Sequence, residues 1–225
     1  MPYKTLRDTV ISKLRDEILG GNYLPGEELT VKTLSERFDC SLTPVREALR
    51  VLESEGLLLA NRHKSVKVSK LDAREVESIS EIRILLERYA CKLAVSNMTA
   101  SLFRKLELNL QEQEKYASGE NIPKFLRVNW QFHSEILKST KQPILIEIIN
   151  MLRNRTSHYL ETYIYSSRTV ERVKRGIAEH RQILEAMRRK DVDEAIAWTE
   201  KHLSTIANTL ILYLREKQVQ DDKHS

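Results

Sequence analysis

The chain has 225 residues, of which 41% are hydrophobic and 31% charged, and carries a net charge of +5. That length holds one or two domains with a proper core. No apolar run reaches the about 18 residues a membrane span needs, and Lys13, Arg15 and Asp16 break the first apolar stretch, which excludes a membrane protein and a signal peptide.

Six glycines and five prolines leave few loops, so helix dominates the expectation. Leu6, Val10, Leu14 and Ile18 recur at helical spacing and predict a first helix ending at Gly20-Gly21. Leu24-Pro25-Gly26-Glu27 is a turn. Thr30 caps a second helix with Val31, Leu34 and Phe38 on its inner face. Thr43 is the expected N-cap of a third helix, with Pro44 at its first position. Val45, Leu49 and Leu52 form that helix's buried stripe, Arg46, Glu47 and Arg50 face outward, and Gly56 ends it in a left-handed cap. Leu57–Ala60 and Val66–Val68 read as two short strands around a basic tip. Residues 1–70 thus predict a winged helix-turn-helix, with Cys40 (and, further on, Cys91) read as reduced thiols of a cytoplasmic protein.

Such a unit binds DNA. The free N–H groups and positive dipole at the start of the third helix favour a phosphate, and the Ser41 and Thr43 hydroxyls add to that grip. Arg46, one turn in, suits a guanine edge, and Arg50 reaches base or backbone. Arg62, His63 and Lys64 at the tip suit phosphates or the minor groove. The competing reading of both arginines is a solvated face paired to Glu47 or Glu53. One winged helix reads a half-site, so a palindromic double-stranded operator calls for a homodimer.

From Asp72 to Lys217 the pattern is helical throughout. Six amphipathic helices are expected, running from Asp72 to Ser96, Thr99 to Ala117, Pro123 to Ser139, Pro143 to Tyr165, Thr169 to Arg189, and from Asp191 onward. They predict an all-α antiparallel bundle over residues 72–217, followed by a disordered tail at 218–225. On the first of them Val76, Ile79, Ile82, Leu86, Tyr89 and Leu93 make the expected inward stripe. The fold class is therefore mainly α, with a small β-wing in the amino-terminal unit.

Inside the bundle Asn129 and His133 share one helix face with Leu126, Ile136 and Leu137. His180 shares a stripe with Ile177, Leu184 and Met187, and His202 one with Ala195 and Ile206. An unpartnered buried imidazole is costly, so each needs a hydrogen bond or a metal. Two readings stand: three separately satisfied core histidines, or a three-histidine site with one oxygen ligand, suited to Zn²⁺ or another divalent transition metal such as Ni²⁺ or Mn²⁺. Arg83, mid-helix, pairs either with a ligand carboxylate or with Glu87, four residues on. Tyr159, Tyr163 and Tyr165, with Arg153 and Arg155, line either the same cavity or a dimer face. A metal-dependent hydrolase lacks an identifiable general base, so the chain is not expected to be an enzyme.

Leu24-Pro25-Gly26-Glu27, Leu34-Ser35-Glu36, Thr43-Pro44-Val45-Arg46-Glu47-Ala48-Leu49-Arg50 and Glu55-Gly56-Leu57 together resemble the DNA-binding domain of the GntR family of bacterial transcription regulators. The resemblance implies that Arg46 and Arg50 contact the operator, that Lys32 does so too, and that the wing tip enters the minor groove. Leu42 stands where the family usually has an arginine, and the tip lacks the usual glycines. Glu81-x-Arg83, Leu86-Glu87, Asn129-x-x-Phe132-His133, Glu179-His180 and His202-Leu203 resemble the effector-binding FCD domain of the FadR-type subfamily. That resemblance implies a divalent metal on Asn129, His133, His180 and His202, with a small organic acid completing its shell. Asn129 replaces the commoner aspartate.

Overall fold

The computed structural model describes residues 5–19, 22–61, 65–117, 121–167 and 170–222. Two compact units emerge, one of Met1–Asp72 with Asn150–Thr162, the other of Ala73–Ile149 with Tyr163–Ser225.

The first unit contains α1 (Leu6–Leu19), β1 (Glu28–Thr30), α2 (Val31–Arg37), α3 (Leu42–Ser54), β2 (Leu58–Ala60) and β3 (Ser65–Val68). Val10, Leu14 and Ile18 of α1 meet Val45, Ala48, Leu49 and Leu52 of α3 in one apolar core, while Leu6 stays exposed. Arg15 clamps the two helices from outside, its Nε 2.9 Å from a Glu55 carboxylate oxygen. Thr30 caps α2, its hydroxyl accepting from Thr33 N at 3.1 Å. The turn between α2 and α3 takes its left-handed residue at Asp39 (φ 48°), a type that tolerates this region.

The third helix begins earlier than its sequence suggests. Ser41 is its N-cap and Thr43 lies inside the first turn, which puts Pro44 two residues past the first position. Proline is accepted there because the first-turn N–H groups have no partner inside the helix. At the other end Gly56 (φ 75°) donates to Glu53 O and Leu57 to Leu52 O, a Schellman closure.

The wing has a third strand. β1 and β2 flank β3, both antiparallel to it, with Leu29 and Ala60 opposite Val66. β1 is only Glu-Leu-Thr, so its pairing comes from β3 rather than from any local pattern. The segment Asn150–Thr162 packs in the same unit. Tyr159 accepts from Leu71 N at 2.7 Å and bonds Ser69 O at 3.4 Å, so it serves the first unit rather than a cavity in the bundle. A Cβ on Gly56 would stand 2.5 Å from Arg155 Cγ. The side chains of Tyr163 and Tyr165 fall outside those described.

The second unit is a helical bundle of α4 (Ala73–Ser96), α5 (Ala100–Lys115), α6 (Ile122–Ser139), α7 (Pro143–Ser167, of which the first part belongs here), α8 (Val170–Arg188) and α9 (Val192–Asp222). Thr99 and Asp191 start their helices as expected, accepting from Leu102 N and Glu194 N at 3.1 and 3.0 Å. Asn121 caps α6 ahead of Pro123. α9 is helical as far as Asp222, past Lys217. Among the described residues no helix is long and apolar enough to cross a membrane.

The inward face of α4 differs from the expected stripe. Ile82, Leu85 and Tyr89 are exposed, whereas Val76, Ile79, Glu87, Ala90, Cys91 and Ala94 are buried. Small residues on this seam let α9 approach, and the Glu87 charge is tolerated because Arg83 covers it. Val76 and Ile79 of the expected stripe are buried and Leu86 and Leu93 half-buried, while Ile82 and Tyr89 turn outward.

Candidate functional site

Arg46 and Arg50 stand four apart on the exposed face of α3, and among the described residues no carboxylate pairs with either. The solvated pairing to Glu47 or Glu53 therefore does not form. Ser41 makes no side-chain capping bond, which leaves its hydroxyl for an outside partner at the positive end of the helix. Thr43 and Leu42 are exposed beside it. Lys32, on α2, touches Glu36 at 4.0 Å, both largely in solvent, a contact worth little. Asn61 N donates to Ser65 O at 3.2 Å and closes the wing hairpin. Arg62, His63 and Lys64 lie outside the described residues.

In the second unit three helices bring His133 (α6), His180 (α8) and His202 (α9) together, with one ligand nitrogen from each within 4.8 Å of the others. His180 and His202 are 1% and 4% exposed, and His133 is half-buried. Phe132 stacks on His180 with ring centroids 4.7 Å apart, and His133 meets His180 edge-on at the same separation. Asn129 is half-buried one turn before His133.

The hydrogen bonds around the rings decide which nitrogens are free. Asn109 Nδ2 donates to the Val128 backbone carbonyl at 3.0 Å, so its Oδ1 is the end that accepts from Gln113 Nε2 at 2.8 Å. Gln113 Oε1 must then accept from His180 Nδ1, 3.2 Å away. On the other side the Glu179 carboxylate accepts from His202 Nδ1 at 2.8 Å. With Nδ1 of both rings engaged, the two Nε2 atoms face each other at 3.1 Å. That approach is satisfied by a proton held between them or by a cation bound to both. Two nitrogens of one tetrahedral zinc shell would sit about 3.3 Å apart, so the donor set fits such an ion. Gln113 and Glu179 hold Nδ1 of His180 and His202 and so fix the orientation of the two rings.

Beside the histidines is a cavity of about 30 Å³, lined among others by Glu87, Cys91, His133, Thr199 and His202. That is more than the roughly 10–15 Å³ of accessible space one water needs. Arg83 gives Nε and a terminal nitrogen to one Glu87 oxygen, at 3.1 and 2.8 Å. Burial pushes the Cys91 thiol up from its ordinary value, with a smaller opposing effect of Thr199, so it stays protonated at neutral pH.

Gln113 and Glu179 escape a search for ligand-type residues. The signal for Gln113 is its place on the apolar stripe of Leu106 and Leu110, where an amide needs a buried partner. Glu179 gives less warning, since its partner His202 comes from another helix.

A winged helix with an unpaired arginine face, joined to a helical bundle enclosing a histidine cluster, is the make-up of a DNA-binding transcription regulator. Residues 6–68 match the model of the bacterial regulatory proteins of the gntR family, and residues 78–205 match the FCD domain. The chain belongs to the GntR family, in its FCD-bearing, FadR-type branch. It is 29% identical to the HTH-type transcriptional regulator McbR of Escherichia coli over 85% of this chain and 86% of McbR. It is equally 29% identical to the uncharacterized HTH-type transcriptional regulator YdhC of Bacillus subtilis, over 82% and 81%. The solved structure of E. coli McbR/YncC superposes with a TM-score of 0.79 at 28% identity, covering 95% of this chain and 99% of that one. These relatives are regulators, not enzymes.

Proposed function

We propose that the protein binds a palindromic operator as a homodimer and that a small organic acid, bound with a divalent transition metal in the helical bundle, governs the binding. Residues 1–70 form the reading head, with Lys32, Ser41, Thr43, Arg46 and Arg50 on the DNA together with Arg62, His63 and Lys64 of the wing. Residues 72–217 form the sensor. His133, His180 and His202, with Asn129, hold the ion, Zn²⁺ foremost and Ni²⁺ or Mn²⁺ also suited. The carrying observation is the 3.1 Å approach of two Nε2 atoms whose Nδ1 partners are both engaged. The exposed Ile82, Leu85 and Tyr89 on α4 support a second copy, since apolar patches of this kind mark interfaces. Operator binding places the protein in the cytoplasm.

A small organic acid is the effector that the charges favour. A dication beside Glu179, with Arg83 and Glu87 cancelling, leaves one positive charge for a carboxylate to neutralise. The acid would have to open the cavity and draw Arg83 from Glu87, and that movement is the means by which it alters the dimer. Coupling of about 1–3 kcal/mol between effector and operator suffices for regulation. A second reading makes the metal the signal, and the cavity of about 30 Å³, large enough for an ion but not for an acid, favours it.

The test is fluorescence anisotropy on an operator selected from genomic DNA, using EDTA-stripped protein, zinc-loaded protein, and zinc-loaded protein with citrate. A shift on adding citrate supports the acid, and a shift with zinc alone supports the metal as signal. Identical operator affinity in all three would refute both.

A further inference from the structure

On the outer side of the α8–α9 contact the two helices present matching ridges. Arg175 and Gln182 lie on α8, and Trp198, Lys201 and Thr205 on α9 at spacings of three and four. With Glu179 as a further wall they enclose an open groove of about 430 Å³. That volume falls within the range of small-molecule sites. It is an order of magnitude larger than the histidine cavity.

The charge of the groove is unbalanced. Among the described residues Arg175 and Lys201 pair with no carboxylate, and both are exposed. The one acid in the lining, Glu179, is 5% exposed and already holds His202 Nδ1. Lys201 is not a loose side chain, because its ammonium rests 4.3 Å from the centre of the Trp198 ring. The Thr205 hydroxyl gives its proton to Lys201 O at 2.8 Å, which leaves the Gln182 amide and the Trp198 indole N–H as the neutral donors of the lining.

We propose that this groove is a second ligand site, specific for a small dianion carrying carboxylate or phosphate oxygens. Arg175 engages one oxygen pair with its planar fork, and Lys201 meets the second charge from the opposite ridge. The Gln182 amide supplies a hydrogen bond between them. No metal is needed for this binding, and Glu179 is the one residue common to the groove wall and the histidine cluster.

The experiment uses the full chain, stripped of metal with EDTA, carrying Trp130→Phe so that Trp198 is the reporting indole. Succinate and inorganic phosphate are titrated separately at ionic strength held constant with sodium chloride, and calorimetry on the unsubstituted chain repeats each titration. Saturable quenching and heat with either anion support the site, and the anion that saturates identifies carboxylate or phosphate as the natural chemistry. Arg175→Gln with Lys201→Gln, both exposed positions, should weaken binding about tenfold or more at unchanged helix content. A signal that merely follows sodium chloride, or binding undiminished in the double variant, would overturn the proposal.

Discussion

The Glu179 carboxylate accepts the Nδ1 proton of His202 at 2.8 Å, joining α8 to α9 inside the bundle. This bond determines which nitrogen of His202 is left to bind a cation, and it places a negative charge one ring away. In the proposed metal site Asn129 brings no charge, while Glu179 sets one negative charge on the Nδ1 side of His202. Glu179→Gln keeps an acceptor but removes the charge. It should weaken zinc binding about 10- to 100-fold, read by competition with a chromophoric chelator. An unchanged affinity would mean that the carboxylate serves packing alone.

Arg46→Ala should weaken binding to a selected operator by about 1–3 kcal/mol and relax preference at one base position, with the fold intact. Arg50→Ala, where contact is to backbone, should instead lower affinity across sequences and reduce the salt dependence. Equal affinity of wild type and Arg46→Ala at moderate salt would remove α3 from the major groove.

Gly56 meets two demands at once, a φ of 75° and the side chain of Arg155 where a Cβ would stand. Gly56→Ala should cost about 1–3 kcal/mol of stability in the first unit, visible in chemical denaturation. Adding Arg155→Ala should return the steric part while leaving the backbone part. A double variant no better than the single would show that only the backbone conformation matters.

Glu135 sits 2.7 Å from Lys105 and 3.1 Å from Lys138, and the Lys105 hydrogen bond leads in holding its carboxyl below the ordinary value. Its folded-state pKa is depressed, so the stabilisation is present above the unfolded value and fades as pH falls through the folded one. Glu135→Gln should therefore lower stability near neutrality by at most about 1 kcal/mol, as expected of a partly solvated pair. The difference from wild type should vanish under acid conditions, as measured by thermal melts across pH.

Helix placement was legible because the caps are local chemistry: Thr30, Thr99 and Asp191 each accept from a backbone N–H three residues on. The three histidines were legible as polar residues on apolar stripes. What escaped depends on neighbours distant in sequence. β1 exists only against β3, and the α4 face is chosen by what α9 can approach. The Gln113 and Glu179 partnerships cross from one helix to another. Arg83 offered two partners on paper, and the folded helix joins it to Glu87.

The most direct test of the metal centre is native mass spectrometry of the purified, untreated protein, alongside His180→Ala. The expected species is a dimer carrying one divalent metal per chain, with the metal absent from the variant. A dimer whose wild-type chains stay metal-free even after incubation with zinc, nickel and manganese would contradict it.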